Sequence, residues 1–169
     1  MRIFVGIPTY DCKLHMGTAQ SLANEAALAL AANVPLQISF QPGMSLVHAA
    51  RNLICADFLA SECTRLVFVD ADCGWDAGAL ISLAVKPHDV IAGACRRRAE
   101  PEGYAIHWGD NTKPNKDGLL EVDGIGMAFT AISRACLEAF RHKTPERAYK
   151  VDGKTVHGFF DSPVSDGNL

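Results

Sequence analysis

Up to Ala94 the chain is punctuated by four short apolar runs: Ile3-Phe4-Val5-Gly6-Ile7, Leu36 to Phe40, Arg65 to Val69, and Asp89 to Ala94. All four read as short strands, the first and third of them, almost wholly apolar, as buried ones. Pro8 stops the first, because proline has no N–H to give to a strand ladder. Helical spacing fills the gaps between them. Residues 16 to 32 are rich in Ala and Leu, with Ala19, Leu22, Ala23, Ala26 and Leu30 recurring at helical intervals. Gln41-Pro42-Gly43 then breaks the chain, Ser45 is a candidate N-cap, and a second helix is expected to about Ala60. A third is expected over residues 76 to 85, opened by Asp76. Alternating strand and helix points to an α/β fold: a mostly parallel, Rossmann-like sheet with helices on both faces.

After residue 98 the alternation fails. Residues 99 to 124 are polar and rich in Gly, Pro, Asp and Lys. A further strand is expected over Met127 to Ile132, then a helix capped by Ser133 and running to about Arg141. The segment from 143 onward reads as loop with a hairpin around Val151-Asp152-Gly153-Lys154, where Asp-Gly supplies the turn. The 169 residues are enough for one domain with a real core. That domain divides into an α/β half over residues 1–98 and a second segment over 99–169.

The third apolar run ends in Asp70 and Asp72, one residue apart. In a parallel α/β sheet, ligands bind beyond the carboxyl ends of the strands, which is where these two carboxylates fall. Two like charges there repel unless a cation lies between them. Mg²⁺ is commonly held by one or two carboxylates together with substrate phosphates. The pair therefore points to a divalent metal carrying a phosphorylated ligand, as against Asp70 closing a turn and Asp72 facing water.

Arg51 sits beside the apolar stripe of its helix, with Val47, Ile54 and Phe58 at i−4, i+3 and i+7. A guanidinium in that position calls for an anion, either phosphate or the Asp pair, unless it snorkels from the stripe's edge. Cys95-Arg96-Arg97-Arg98 follows the fourth run, at the same end of the sheet, and either steers an anionic ligand or forms a solvated loop. His107, beside Trp108, and His157, before Phe159-Phe160, are ordinary surface or packing residues unless an acceptor pocket or a metal recruits them. The chain has no G-x-S-x-G, no P-loop and no G-x-G-x-x-G.

Charge excludes some classes of partner. With 16 basic and 19 acidic residues the net charge is −3, so nothing calls for nucleic acid or an anionic membrane. No apolar run approaches the roughly 18 residues of a spanning helix, and the start lacks the longer apolar region of a signal peptide. None of the six cysteines forms a CxxC pair, and all are expected to be reduced, in a cytoplasmic setting. A homo-oligomer stays open.

Several stretches resemble one family. FVDADCGWDAGALISLA followed by HDVIAGACRRR resembles the core of GT-A fold, family-2-like glycosyltransferases, nearest the small bacterial and phage-type members with a DxD motif. GIPTYD resembles their first strand and nucleotide-binding turn. SLVHAARNLICADFL resembles their Arg-Asn helix, and VDGIGMAFTAISRACLEAF their later glycine-containing strand and helix. The likeness spans about residues 2 to 141.

The resemblance implies a nucleotide-sugar donor, UDP- or GDP-linked, with Mn²⁺ or Mg²⁺, and transfer to an unknown acceptor. Pro8, Thr9 and Tyr10 would line the base. Arg51 would approach the diphosphate with Asn52 nearby. Asp70 would contact ribose or metal, and Asp72 would bind the metal. Arg96, Gly124, Ile125, Gly126 and Met127 would border the donor and acceptor pocket. The family's general base usually lies in an acidic pair after an aromatic-rich segment, here GFFDSPVSDGNL. The expectation is that this base lies beyond Leu169, leaving the acceptor side truncated, or that Asp161 or Asp166 replaces it. Two other readings stand beside this one. One is a phosphatase of the haloacid dehalogenase type, with the first Asp as nucleophile. The other is a non-catalytic nucleotide-sugar-binding module.

Overall fold

The computed structural model describes residues 1–96, 103–110 and 113–161. Strand β1 (Ile3–Thr9) leads through α1 (Met16–Ala31) to β2 (Leu36–Pro42). Helix α2 (Val47–Ala60) returns to β3 (Arg65–Val69), and the short α3 (Ala79–Ala84) leads to β4 (Val90–Ala92). An excursion follows, containing the small antiparallel pair β5 (Ile106–His107) and β6 (Gly124–Ile125). The chain re-enters the sheet as β7 (Phe129–Ser133), continues into α4 (Arg134–Lys143), and makes a 3-10 turn at Pro145–Arg147. It then forms the hairpin β8 (Ala148–Val151) and β9 (Lys154–His157).

The main sheet has the order β2-β1-β3-β7-β4. Strands β1, β2 and β3 are mutually parallel, and β7 runs antiparallel to both β3 and β4. The four strands of the alternating half therefore all point one way, and β7 is inserted against them between β3 and β4. The fold is α/β with a mixed, mostly parallel sheet.

Alternation along the strands divides the core in two. Ile3, Val5 and Ile7 of β1, with Val67 and Val69 of β3, meet Leu22 of α1 and Leu80 and Ala84 of α3. Phe4, Leu66 and Phe68 face the other way, against Ile54, Cys55 and Phe58 of α2 and Leu137 of α4. Phe4 meets Phe58 edge-on, with ring centroids 5.8 Å apart. Gly6 lets α2 lie directly on β1, since a Cβ there would stand 2.2 Å from Cγ2 of Ile54. Arg65, buried at the amino end of β3, donates to the carbonyls of Ala84 (3.0 Å) and Lys86, which closes the carboxyl end of α3. Arg134 does the same for α2, donating to the carbonyls of Phe58, Leu59, Ser61 and Cys63.

Several boundaries differ from expectation. The buried face of α1 is Thr18, Ser21, Leu22, Glu25 and Ala29, while Leu30 is 84% exposed, so the Ala/Leu pattern pointed to the wrong face. Ser45 does not cap α2. Leu46 holds the N-cap position with no side-chain bond, and Val47 is exposed. Helix α3 begins at Ala79 rather than Asp76, because Gly78, at φ +85°, turns the chain only there. Ser133 accepts from the Cys136 N–H as the N-cap of α4. Asp152 and Gly153 both have positive φ, as a two-residue hairpin turn requires. Among the described residues no helix is long and apolar enough to cross a membrane.

Candidate functional site

The carboxyl ends of β1, β2, β3 and β4 come together, joined by the segment that leads into β7. Residues Asp70 to Cys73 form a tight turn closed by Cys73 N–H to the Asp70 carbonyl (3.0 Å). The Asp70 N–H donates to the carbonyl of Ala128 (3.0 Å), which fixes this turn against the entry to β7.

Asp70 and Arg51 meet here. Nη2 of Arg51 donates to Oδ1 of Asp70 at 2.9 Å, and both side chains are partly buried, 14% and 33% exposed respectively. Nε of the same guanidinium is buried without a hydrogen-bond partner. A buried N–H left unmatched is uncommon and costly, which singles out this arginine. Asp72 stands on the exposed side of the turn.

A polar stripe on α1 holds the turn in place. The Thr18 hydroxyl donates to the carbonyl of Ala71 (3.1 Å), which also accepts from the His15 N–H (2.9 Å). The Ser21 hydroxyl donates to the Trp75 carbonyl (2.7 Å) and accepts from the Trp75 N–H (2.9 Å). Glu25 is fully buried. Its Oε2 accepts from the Trp75 indole (3.1 Å) and the Gly78 N–H (2.9 Å), and its Oε1 accepts from the Ile81 N–H (2.8 Å). The carboxylate thus satisfies the first turn of α3 from a different helix, where a negative charge is favoured. Sequence reasoning missed all three residues. The signal was there in the i, i+3, i+7 spacing of Thr18, Ser21 and Glu25, but a polar stripe in an Ala-rich helix ordinarily faces water.

Cys73, at the end of the turn, lies opposite Cys95 from the end of β4, with the sulfurs 3.8 Å apart. The hydrogen bond between the thiols pushes Cys73 up, reinforced by burial and by Asp70 and Asp72. The same bond holds Cys95 down.

The remaining expected site residues divide. Pro8 and Thr9 end β1 beside β2, and the Tyr10 ring beyond them is 71% exposed. Gly124 and Ile125 line a groove of about 690 Å³ between the excursion and the outer edge of β4, with Trp108 and Leu119 on its far side. Gly126 is bonded to the Ala105 carbonyl (2.7 Å). Arg96 pairs through its backbone with Tyr104. Arg97 and Arg98 lie outside the described residues, as does Asp166.

Three of the expected residues have partners that the sequence did not reveal. Asn52 follows Arg51 on α2. Its Oδ1 accepts from Phe160 N–H and its Nδ2 donates to the Phe160 carbonyl, both at 2.9 Å, so it clamps the segment after β9. Met127 packs, partly buried, against the core on the α2 face. Asp161 is ion-paired with Arg147, whose guanidinium also bonds the Gly158 carbonyl (2.7 Å).

His157 is a packing residue. It is buried against the rings of Phe140 and Phe159, which also meet each other, and shares a 3.0 Å hydrogen bond with the Thr144 hydroxyl. Burial, with the Arg147 and Arg141 charges, lowers its pKa. The unfolded chain then binds a proton more readily than the folded one, so stability rises with pH in the window just below the ordinary histidine value of about 6.5. Acidification through that window is expected to lower the melting midpoint, and His157→Gln to flatten the slope. An unchanged slope in the variant would place the titrating group elsewhere.

Among the described residues no three His, Cys, Asp or Glu side chains converge as a metal cluster. Among the described residues, Asp70 and Asp72 are the side chains that would hold a cation at this turn, with other oxygens coming from a ligand and water. That is a donor set suited to Mg²⁺ or Mn²⁺ carried by phosphate. The chain matches no protein-family model and no curated protein.

Proposed function

We propose that the protein binds a nucleoside-diphosphate sugar at the carboxyl end of its sheet and transfers the sugar to an acceptor, as a metal-dependent glycosyltransferase of GT-A type. The observation that carries this reading is the Arg51–Asp70 pair at the end of β3, with Asp72 exposed on the same turn. Cation and anion side chains stand together there, as a metal–diphosphate complex requires, at the end of an α/β sheet where ligands bind. Asp70 and Asp72 would hold Mn²⁺ or Mg²⁺, which supplies positive charge to the leaving diphosphate. Arg51 faces the diphosphate, for which its planar fork is suited. The exposed Tyr10 ring offers the base a stacking surface, and the groove at Gly124 and Ile125 accepts the acceptor. The phosphatase reading is weaker, because that class carries its D-x-D after the first strand with Thr or Val two residues on, whereas Asp70 follows β3 and Gly74 holds that place.

The Asp161–Arg147 pair leaves room for a second reading, donor binding without efficient transfer, because Asp161 is already engaged by a guanidinium. Calorimetric titration with UDP and GDP, with and without Mn²⁺, tests donor binding. Wild-type protein is expected to bind one of them more tightly with Mn²⁺, and Asp72→Asn to abolish that gain while leaving the melting midpoint near wild type. Binding indifferent to Mn²⁺ in the wild type would overturn the metal-dependent reading. Transfer is then read from sugar release or acceptor labelling, with Asp161→Asn as the check on that residue.

A further inference from the structure

We propose that Cys73 and Cys95 form a reversible thiol–disulfide site that fastens the aspartate turn to the end of β4. The inference does not depend on which ligand the turn binds. The two residues come from strands that are not neighbours, since β7 lies between β3 and β4. Their thiols nevertheless touch, at 3.8 Å, and both are partly exposed. A disulfide needs the sulfurs at about 2.05 Å, so they must close by roughly 1.8 Å. The turn is anchored to α1 through Ala71 and Trp75, so the adjustment falls on Cys95. The backbone there has left the ladder, whose last bond on this side runs from the Gly93 N–H to the Phe129 carbonyl (2.9 Å). One partner is held on a fixed turn and the other lies past the last ladder bond, which favours closing and reopening without disturbing the sheet.

The oxidant is a low-molecular-weight disulfide. One cysteine sulfur, as thiolate, attacks it, forming a mixed disulfide and releasing one small thiol. The second cysteine sulfur attacks the protein-bound sulfur, forming the Cys73–Cys95 bond and releasing the second small thiol. Two protein S–H bonds are lost and one S–S bond is gained. The small disulfide takes both electrons and both protons as two thiols. Excess small thiol reverses the sequence. The oxidised form ties the turn carrying Asp72 to the segment carrying Arg96, so the relative position of an acidic and a basic group at the same end of the sheet becomes redox-dependent.

The test treats the folded 169-residue protein with glutathione disulfide, quenches with an alkylating agent and maps peptides without reduction. A Cys73–Cys95 crosslinked peptide is expected, lost on treatment with dithiothreitol. It should form at least about tenfold faster than in the urea-unfolded chain, because the fold holds the sulfurs in contact. Cys95→Ser is expected to retain glutathione on Cys73, and Cys73→Ser to retain it on Cys95, each without a crosslink. Cys12→Ser should behave as wild type. Melting curves of each variant confirm that it is folded at the assay temperature, with Cys→Ala replacements used wherever Ser is not tolerated. A folded wild-type protein that forms no such crosslink, crosslinks no faster than in urea, or pairs Cys73 or Cys95 equally with other cysteines overturns the proposal.

Discussion

Glu25→Ala is expected to destabilise the protein by about 3–5 kcal/mol, the scale seen when one member of a buried charged network is removed. The substitution strands three part-buried donors at once, the Trp75 indole and the Gly78 and Ile81 N–H groups, around a side chain that is itself fully buried. Each buried group left unmatched costs about 1–3 kcal/mol, and the emptied volume adds to that. For a domain of this size the melting midpoint should fall by on the order of 10 °C. Glu25→Gln is more informative. Its carboxamide keeps one acceptor oxygen and sets an NH₂ against a donor, so it should cost about 1–3 kcal/mol with little change of volume. Urea unfolding of the two variants distinguishes the cases. A Glu25→Ala protein as stable as wild type would mean that α3 and the turn do not depend on this carboxylate. Because Glu25 holds the chain just after Asp72, under the proposed function the Gln variant should also bind Mn²⁺ and nucleotide less well at temperatures where it is fully folded.

The second large effect is expected at Arg51. Under the proposed function, Arg51→Ala removes a charged hydrogen-bond donor from the diphosphate, worth about 1.5–3 kcal/mol, or about 10–150-fold in affinity. Free nucleoside should bind almost unchanged. Arg51→Lys keeps the charge but loses the planar fork, so it should fall between the two. Stability should change far less than binding, because Asp70 is one-third exposed and water can replace its lost partner. Titration of UDP and uridine against each variant in the presence of Mn²⁺ measures the contrast. Equal weakening of both ligands would show that Arg51 serves only to position Asp70.

How much of the site was legible depended on how local each signal was. Asp70 and Asp72 could be placed because an apolar run pointed straight at them, and the end of such a run marks the end of a buried strand. Arg51 could be singled out because a cation beside an apolar stripe needs an anion, though the stripe could not say that Asp70 was the partner nearest to hand. Glu25 could not be found, since nothing in an Ala- and Leu-rich helix says which of its faces another segment will cover. The partners of Asn52 and Asp161 were hidden for a similar reason. The chain after β9 returns to α2, where Phe160 pairs with Asn52, and Asp161 beside it meets Arg147 of the 3-10 turn.

The alternation of apolar runs with helical spacing determined, without any structure, that this chain forms an α/β sheet covered on both faces. Asp152-Gly153 determined the late hairpin and Ser133 the start of α4. These are short-range effects, in which a few residues' backbone preferences and burial pattern suffice. Only the tertiary structure decided that β7 enters antiparallel between β3 and β4, and with it the neighbours of the site. Arg51 with Asp70, Cys73 with Cys95, and Glu25 with Gly78 are pairings across 19, 22 and 53 residues. Each depends on strand order and on which helix face is buried, and those are settled by packing of the whole chain and not by any one segment of it.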